Sequence, residues 1–126
     1  MHLDTYHMNL EEKGFYEPIL PLGPRLKYIH RSESDRGTPG TGNIHWDEIF
    51  RGLNDACYDG SLVIESFAAF NEAIIGATAL WRDVVGNPDA LVTDGLVASP
   101  SFAQKGPNTS CSSSLGKPHD VPRRIP

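Results

Sequence analysis

YDGSLVIESF, residues 58–67, starts on a turn and ends on a carboxylate. Tyr58-Asp59-Gly60 reads as the turn. Leu62, Val63 and Ile64 form a continuous apolar run, the pattern of a strand covered on both faces. Glu65 follows at once. A carboxylate buried there without a partner would cost several kcal/mol, so packing does not account for it and chemistry does.

Strand and helix alternate on both sides of this stretch. Upstream, WDEIFRGLNDACY (46–58) sets Trp46, Ile49, Phe50 and Leu53 at helical spacing. Before it lies ESDRGTPGTGN, a Gly/Pro/Thr loop, and before that RLKYIHRS (25–32), a strand with Leu26, Tyr28 and His30 on one side of the pleat and Ile29 on the other. NLEEKGFYEPILPLG is a helical connection that Pro18 and Pro21 keep short or broken. MHLDTYHM, at the start, is another strand. Downstream, NEAIIGATALWRDVVGN is a helix with Ile74, Ala77, Leu80, Trp81 and Val84 on one stripe, stopped by Gly86 and Pro88.

Three strand–helix units at roughly 30-residue spacing predict an α/β fold of parallel strands with right-handed crossovers. A closed eight-unit barrel takes about 250 residues, and this chain has 126. The expectation is the C-terminal part of something larger, with residues 1–96 belonging to the barrel and 97–126 forming a disordered Ser/Pro/Gly-rich tail. A readthrough or frameshift product and a natural flexible tail both fit that end.

The formal charge of -5 supplies no basic footprint for nucleic acid, and no apolar run is long enough for a membrane span. Cys57 and Cys111 are the only cysteines, neither in a CxxC pair. They predict no disulfide framework, no thiolate metal site and, by default, a reducing cytoplasm.

Active sites of β/α barrels gather at the C-terminal ends of the strands. Here the three strands end on Asp4, then His7; on His30, then Glu33; and on Glu65. Asp, His and Glu together suit manganese, cobalt or magnesium better than thiolate-seeking metals. Each has a plainer reading: Asp4 as a loop cap, His30 as a hydrogen-bonded core histidine. Their matching positions on three units favour a metal site. His7 reads as a further ligand or a hydrogen-bonding group for a substrate, and Arg36 as a substrate or anion contact or an ordinary loop arginine. Glu33 and Asp35 are either solvated or orient His30 and Arg36. Gly37, Gly40 and Gly42 lack the Lys-Ser/Thr of a phosphate loop and predict a tightly turned or mobile active-site loop. His2 and His45 receive no role, and His119 lies in the tail.

HLDTYHMN (2–9), IHRSESDRGTPGTGNIHWDEIF (29–50) and YDGSLVIESF (58–67) together resemble the ketose 3-epimerases, the D-tagatose/D-psicose 3-epimerase group of the xylose-isomerase-like superfamily. The resemblance covers about residues 1–96. It implies a partial (β/α)8 TIM barrel, with this chain as about its last three units. By motif it places Asp4, His30 and Glu65 on three of four metal ligands, Glu65 also on one of two catalytic glutamates, and His7 and Arg36 on residues that contact the sugar. The fourth ligand, which is also the second glutamate, has no counterpart here. The implied reaction is metal-dependent epimerisation of a ketose at C3 through an enediolate, one glutamate removing the proton and the other returning it to the opposite face. Manganese is the implied metal, with cobalt or magnesium as alternatives, and a cytoplasmic homo-oligomer the implied full-length form. The fragment alone should be inactive. Other readings are a non-catalytic barrel piece that needs a second chain, or another superfamily member such as a hydroxypyruvate isomerase or inosose dehydratase. An endonuclease is disfavoured by the missing basic patch and zinc-ligand histidines. Arg31 departs from the resemblance, which has an apolar or small residue there.

Overall fold

The computed structural model describes residues 1–67, 72–78, 80, 84 and 86–97. The elements run β1 (His2–Asp4), α1 (Thr5–Glu11), a 3-10 turn (Leu20–Arg25), β2 (Tyr28–Arg31), α2 (Trp46–Asp55), β3 (Ser61–Ile64), α3 (Glu72–Thr78) and α4 (Pro88–Val97). The strands form one sheet in the order β1-β2-β3; both pairings are parallel, as the alternating pattern predicts.

Register divides the sheet into two chemically distinct faces. Leu3 pairs with Ile29 and Ile29 with Leu62; this row faces the apolar core with Met8, Phe15, Ile19, Leu26, Ile44, Ile49 and Leu53. The next row pairs Asp4 with His30 and His30 with Val63, on the opposite face. The Trp46/Ile49/Phe50/Leu53 stripe of α2 is the helix surface that covers the core row, with Ile49 and Leu53 fully buried.

Several boundaries differ from the sequence reading. β1 ends at Asp4, and α1 begins at Thr5. The cause is Asp4 itself, whose Oδ1 accepts from the amides of Tyr6 (2.8 Å) and His7 (3.3 Å) and so caps the helix. His7 therefore sits in the first turn of α1 rather than in the strand read over MHLDTYHM. Among the described residues β3 is not covered on both faces: Val63 is 36% exposed, and Tyr28, on the same face of β2, is 38% exposed. Pro88, read with Gly86 as a helix stop, instead starts α4: Asn87 Oδ1 accepts from the Asp89 amide at 2.9 Å and Pro88 occupies the first turn. In α3, Ile74 and Ala77 are exposed, and Trp81 lies outside the described residues. Cys57 is disulfide-bonded, against the expectation of no disulfide framework; Cys111 and the rest of the expected tail from residue 98 lie outside the described residues. No helix among the described residues is long and apolar enough to cross a membrane.

Candidate metal and sugar site

The C-terminal ends of the three strands bring Asp4, His30 and Glu65 together. One ligand atom from each lies within 4.8 Å of the other two. His30 Nδ1 is 3.7 Å from Asp4 Oδ2 and 3.5 Å from Glu65 Oε1. Register explains the convergence: Asp4 lies beside His30 across the β1–β2 pair, and Glu65 stands two residues beyond Val63, the partner of His30. The Glu65 amide continues the ladder to the Arg31 carbonyl at 3.2 Å.

The strand ends are tied to one another through Thr5. Its hydroxyl donates to the Ser32 carbonyl at 2.6 Å and accepts from the Ser32 amide at 2.8 Å. Thr5 and Ser32 are both buried. Asp4 divides its carboxylate, with Oδ1 on the α1 amides and Oδ2 turned into the site. Burial pushes the Asp4 carboxyl up, but the adjoining Glu65 side chain, the Arg36 guanidinium and the His7 and Tyr6 amides outweigh it and hold the pKa below its ordinary value.

Arg36 lies at the centre of the cluster. Nη1 donates to Ser32 Oγ at 3.0 Å, to Asp4 Oδ2 at 3.3 Å and, at short range, to Glu65 Oε2. Nη2 meets His7 Nε2 at 3.2 Å. The guanidinium lies 3.8 Å from the Tyr6 ring centre and 5.1 Å from that of Phe67. Its backbone is left-handed (φ 64°), a conformation unusual for a side-chain-bearing residue. It is held by the Arg36 amide on the Glu33 carbonyl, and by the Phe67 amide and the Ser66 hydroxyl on the Arg36 carbonyl.

Glu33 neither lies in solvent nor orients His30. It is wholly buried and gathers the glycine loop around itself, accepting from the amides of Ser34 (2.8 Å), Gly40 (2.8 Å) and Ile44 (3.1 Å) and from Trp46 Nε1 (3.0 Å). These donors outweigh the burial that would raise its pKa, and the carboxyl lies below the ordinary range. The glycines are packing requirements of this wrap. Gly40 has φ 98°, and a Cβ at Gly42 would come within 2.6 Å of Glu33 Oε1. Asp35 accepts from the Gly37 amide at 2.9 Å and shapes the same turn. His2 sets its ring edge-on to that of His30, with 4.3 Å between the ring centres. His45 faces Glu48 at 3.7 Å at the start of α2.

The residues missed in the sequence are Thr5, Tyr6, Ser32 and Phe67. Thr5 stands next to a candidate ligand at a strand end, where a hydroxyl is well placed to bond a neighbouring strand; that is the available signal. Ser32, Tyr6 and Phe67 become visible only when β2 and β3 are docked.

Two oxygens and one imidazole nitrogen, converging from three strands, have the donor chemistry of a divalent cation site. Ligands at about 2.1 Å from one ion stand about 3–3.5 Å apart in octahedral or tetrahedral geometry. The 3.5 and 3.7 Å separations around His30 come close to that spacing, so the residues fit such an ion.

Residues 1–84 match the family model of the xylose isomerase-like TIM barrel. The chain belongs to this family. It is 40% identical over 93 residues to a ketose 3-epimerase of Arthrobacter globiformis, a match covering 72% of this chain and 32% of that protein. It is 39% identical over 92 residues to a D-psicose 3-epimerase of Agrobacterium fabrum, covering 73% and 32%. Among solved structures, D-allulose 3-epimerase from Methylomonas sp. in complex with D-allulose superposes with a TM-score of 0.70 at 37% identity, covering 77% of this chain and 34% of that one. The chain thus spans about a third of the length of the relatives it matches.

Proposed function

We propose that this chain carries the metal-ligating and sugar-contacting end of a ketose 3-epimerase, and that Asp4, His30 and Glu65 hold a divalent cation, manganese in the first instance with cobalt or magnesium as alternatives. The observation that carries the reading is the convergence of three donor atoms within 4.8 Å at the ends of three adjacent parallel strands. The relatives named as epimerases of ketoses support the substrate class.

Bound there, the cation would supply Lewis acidity to a ketose carbonyl and its neighbouring hydroxyl. The chain's own residues then divide the remaining work. Glu65, part-buried at the strand end, exchanges the C3 proton on one face of the sugar, the step that interconverts the epimers through an enediolate. His7 and Arg36, already in contact with each other at 3.2 Å, hold sugar oxygens. Tyr6 and Phe67 flank the guanidinium and restrict its direction. Inversion needs a second base on the opposite face, and no residue of this chain matches it. The chain alone therefore binds the cation but does not epimerise. Its catalytic form is a complete barrel, in a cytoplasmic homo-oligomer on this reading.

Calorimetric titration of the chain with Mn2+, Co2+ and Mg2+ tests the proposal. Saturable binding of one ion, abolished in Glu65→Gln, is expected. Absence of binding at millimolar ion would defeat it. Turnover of a ketohexose by the chain alone would show that the second base is not required.

A second reading has its own observation. Tyr28 and Val63 leave the site-side face of the sheet open, and β1 and β3 each have one strand neighbour among the described residues. An associating barrel piece without catalysis would present such edges. Sedimentation that shows concentration-dependent self-association with no cation uptake would favour it.

A further inference from the structure

The Asp4/Glu65 pair already has a cation on it, and that cation is Arg36. We propose that Arg36 is the internal counter-ion of the site, that it competes with the divalent ion for Asp4, and that ion entry is what frees the guanidinium to face a sugar. This rests on the metal reading of Asp4, His30 and Glu65 and goes beyond it, because it assigns Arg36 a role before any sugar arrives.

The competition is focused on a single oxygen. Asp4 has committed Oδ1 to the amides of Tyr6 and His7, so Oδ2 is the one it can offer. Oδ2 is the atom that faces His30 Nδ1 at 3.7 Å, and also the atom that accepts from Arg36 Nη1 at 3.3 Å. Glu65 is not divided in this way: Oε1 faces His30 and Oε2 faces Arg36. The Nη1 group is also over-subscribed. It has two hydrogens and three acceptors, on Ser32, Asp4 and Glu65. Its bond to Asp4 is the longest of the three, so it is the one most readily given up. A divalent ion on Oδ2 would stand close to the guanidinium of a buried arginine, and like charges at that range repel strongly where water is largely excluded.

The guanidinium has somewhere to go. Ser32 Oγ, His7 Nε2 and the ring faces of Tyr6 and Phe67 hold it independently of the carboxylates. It can therefore yield Oδ2 without leaving its slot. Before the ion binds, Arg36 keeps two facing carboxylates from repelling each other; once the ion takes that task, the guanidinium's hydrogens become available to a neutral oxygen.

The test is Mg2+ and Mn2+ affinity, read by calorimetry on the full chain, with Arg36→Gln and Arg36→Lys. Arg36→Gln should bind the ions about tenfold or more tightly than the unaltered chain, and Arg36→Lys, which keeps the charge, should stay within about threefold of it. Equal or weaker binding by folded Arg36→Gln would overturn the inference while leaving the metal reading intact. Should that variant not fold, the unaltered chain gives a second readout. The Arg36 Nε–H resonance, followed by NMR during Mg2+ titration, should shift and exchange faster with water as the ion saturates. A resonance unchanged at saturation overturns the inference. Failure of the unaltered chain to bind any ion defeats the metal reading and this inference with it, and is recognised by the absence of binding heat.

Discussion

Thr5 Oγ1 sits between the carbonyl and the amide of Ser32, donating to one at 2.6 Å and accepting from the other at 2.8 Å. The residue directly after Asp4 is thereby bolted to the residue two beyond His30. The spacing between these two candidate ligands thus depends on a hydroxyl that touches neither side chain. Thr5→Val keeps the shape and removes both bonds, leaving the Ser32 amide and carbonyl buried without this partner. A loss of about 1–3 kcal/mol in denaturant-measured stability is expected, together with weaker divalent-ion binding because Asp4 and His30 are no longer held in register. Full stability and full ion affinity in the Thr5→Val variant would show that backbone pairing alone positions the site.

Asp4 combines a helix cap and a candidate ligand, and one substitution separates them. Asn caps a helix about as well as Asp, so Asp4→Asn should retain α1 through Oδ1 and change stability by less than about 1 kcal/mol. Its Nδ2 would then replace Oδ2 opposite His30 and Arg36, where a donor is of no use to a cation. Ion affinity should fall by at least about tenfold. Circular dichroism and calorimetry on one sample read the two halves separately. Unchanged ion binding would remove Asp4 from the ligand set.

The three strands, their parallel sense and the residues at their ends are legible in the sequence because they follow from the alternation of strand and helix patterns, and periodicity reports which face is buried. Three features are hidden for physical reasons. Periodicity alone puts the end of β1 too late because Asp4 acts through its side chain: TYHMN does not look helical until Oδ1 is seen on the Tyr6 and His7 amides. β3 reads as fully covered because Leu62-Val63-Ile64 is apolar throughout, whereas Val63 faces the side of the sheet that the described residues leave open. Glu33 reads as close to the chemistry because it follows His30 by three residues. A sequence does not reveal that the loop over residues 34–44 folds back to surround that carboxylate.

Glu33 predicts acid sensitivity with a definite sign. Its folded-state pKa is depressed, so its ionised form contributes stability above the unfolded value of about 4.3, and that contribution is lost as pH falls below this toward the folded value. Asp4 acts in the same direction. Trp46, bonded to Glu33 Oε2 at 3.0 Å, is the local reporter; Trp81→Phe removes the chain's other tryptophan. Its fluorescence should change as pH falls below the ordinary carboxylate range. In Glu33→Gln, neutral-pH stability should drop by about 1–3 kcal/mol as amide hydrogens meet backbone N–H donors, and the acid-range dependence should flatten. An unaltered acid profile in that variant would mean the loop is held by something other than this carboxylate.

Arg31 occupies a place on the core face of β2, paired with Ile64 and 4% exposed. Nη2 donates to the Gly95 carbonyl in the last turn of α4 at 3.0 Å, while Nε is buried with no hydrogen-bond partner among the described residues. The guanidinium lies 5.3 Å from the Trp46 ring centre and 5.8 Å from that of Phe50, and burial lowers its pKa. Two opposed effects follow from removing it. Arg31→Met relieves the desolvation of a buried charge and its orphaned Nε–H, and keeps much of the contact with Trp46 and Phe50. It also deletes the bond to a helix-terminal carbonyl, where a cation is favoured by the helix dipole. The first effect concerns the sheet and α2, the second α4 alone. Global stability should therefore change by less than about 1 kcal/mol, while α4 amides exchange with solvent at least about tenfold faster. Native-state hydrogen exchange resolves the two. A large global loss with α4 protection intact would mean that stacking on Trp46, not the tether to Gly95, is what the guanidinium contributes.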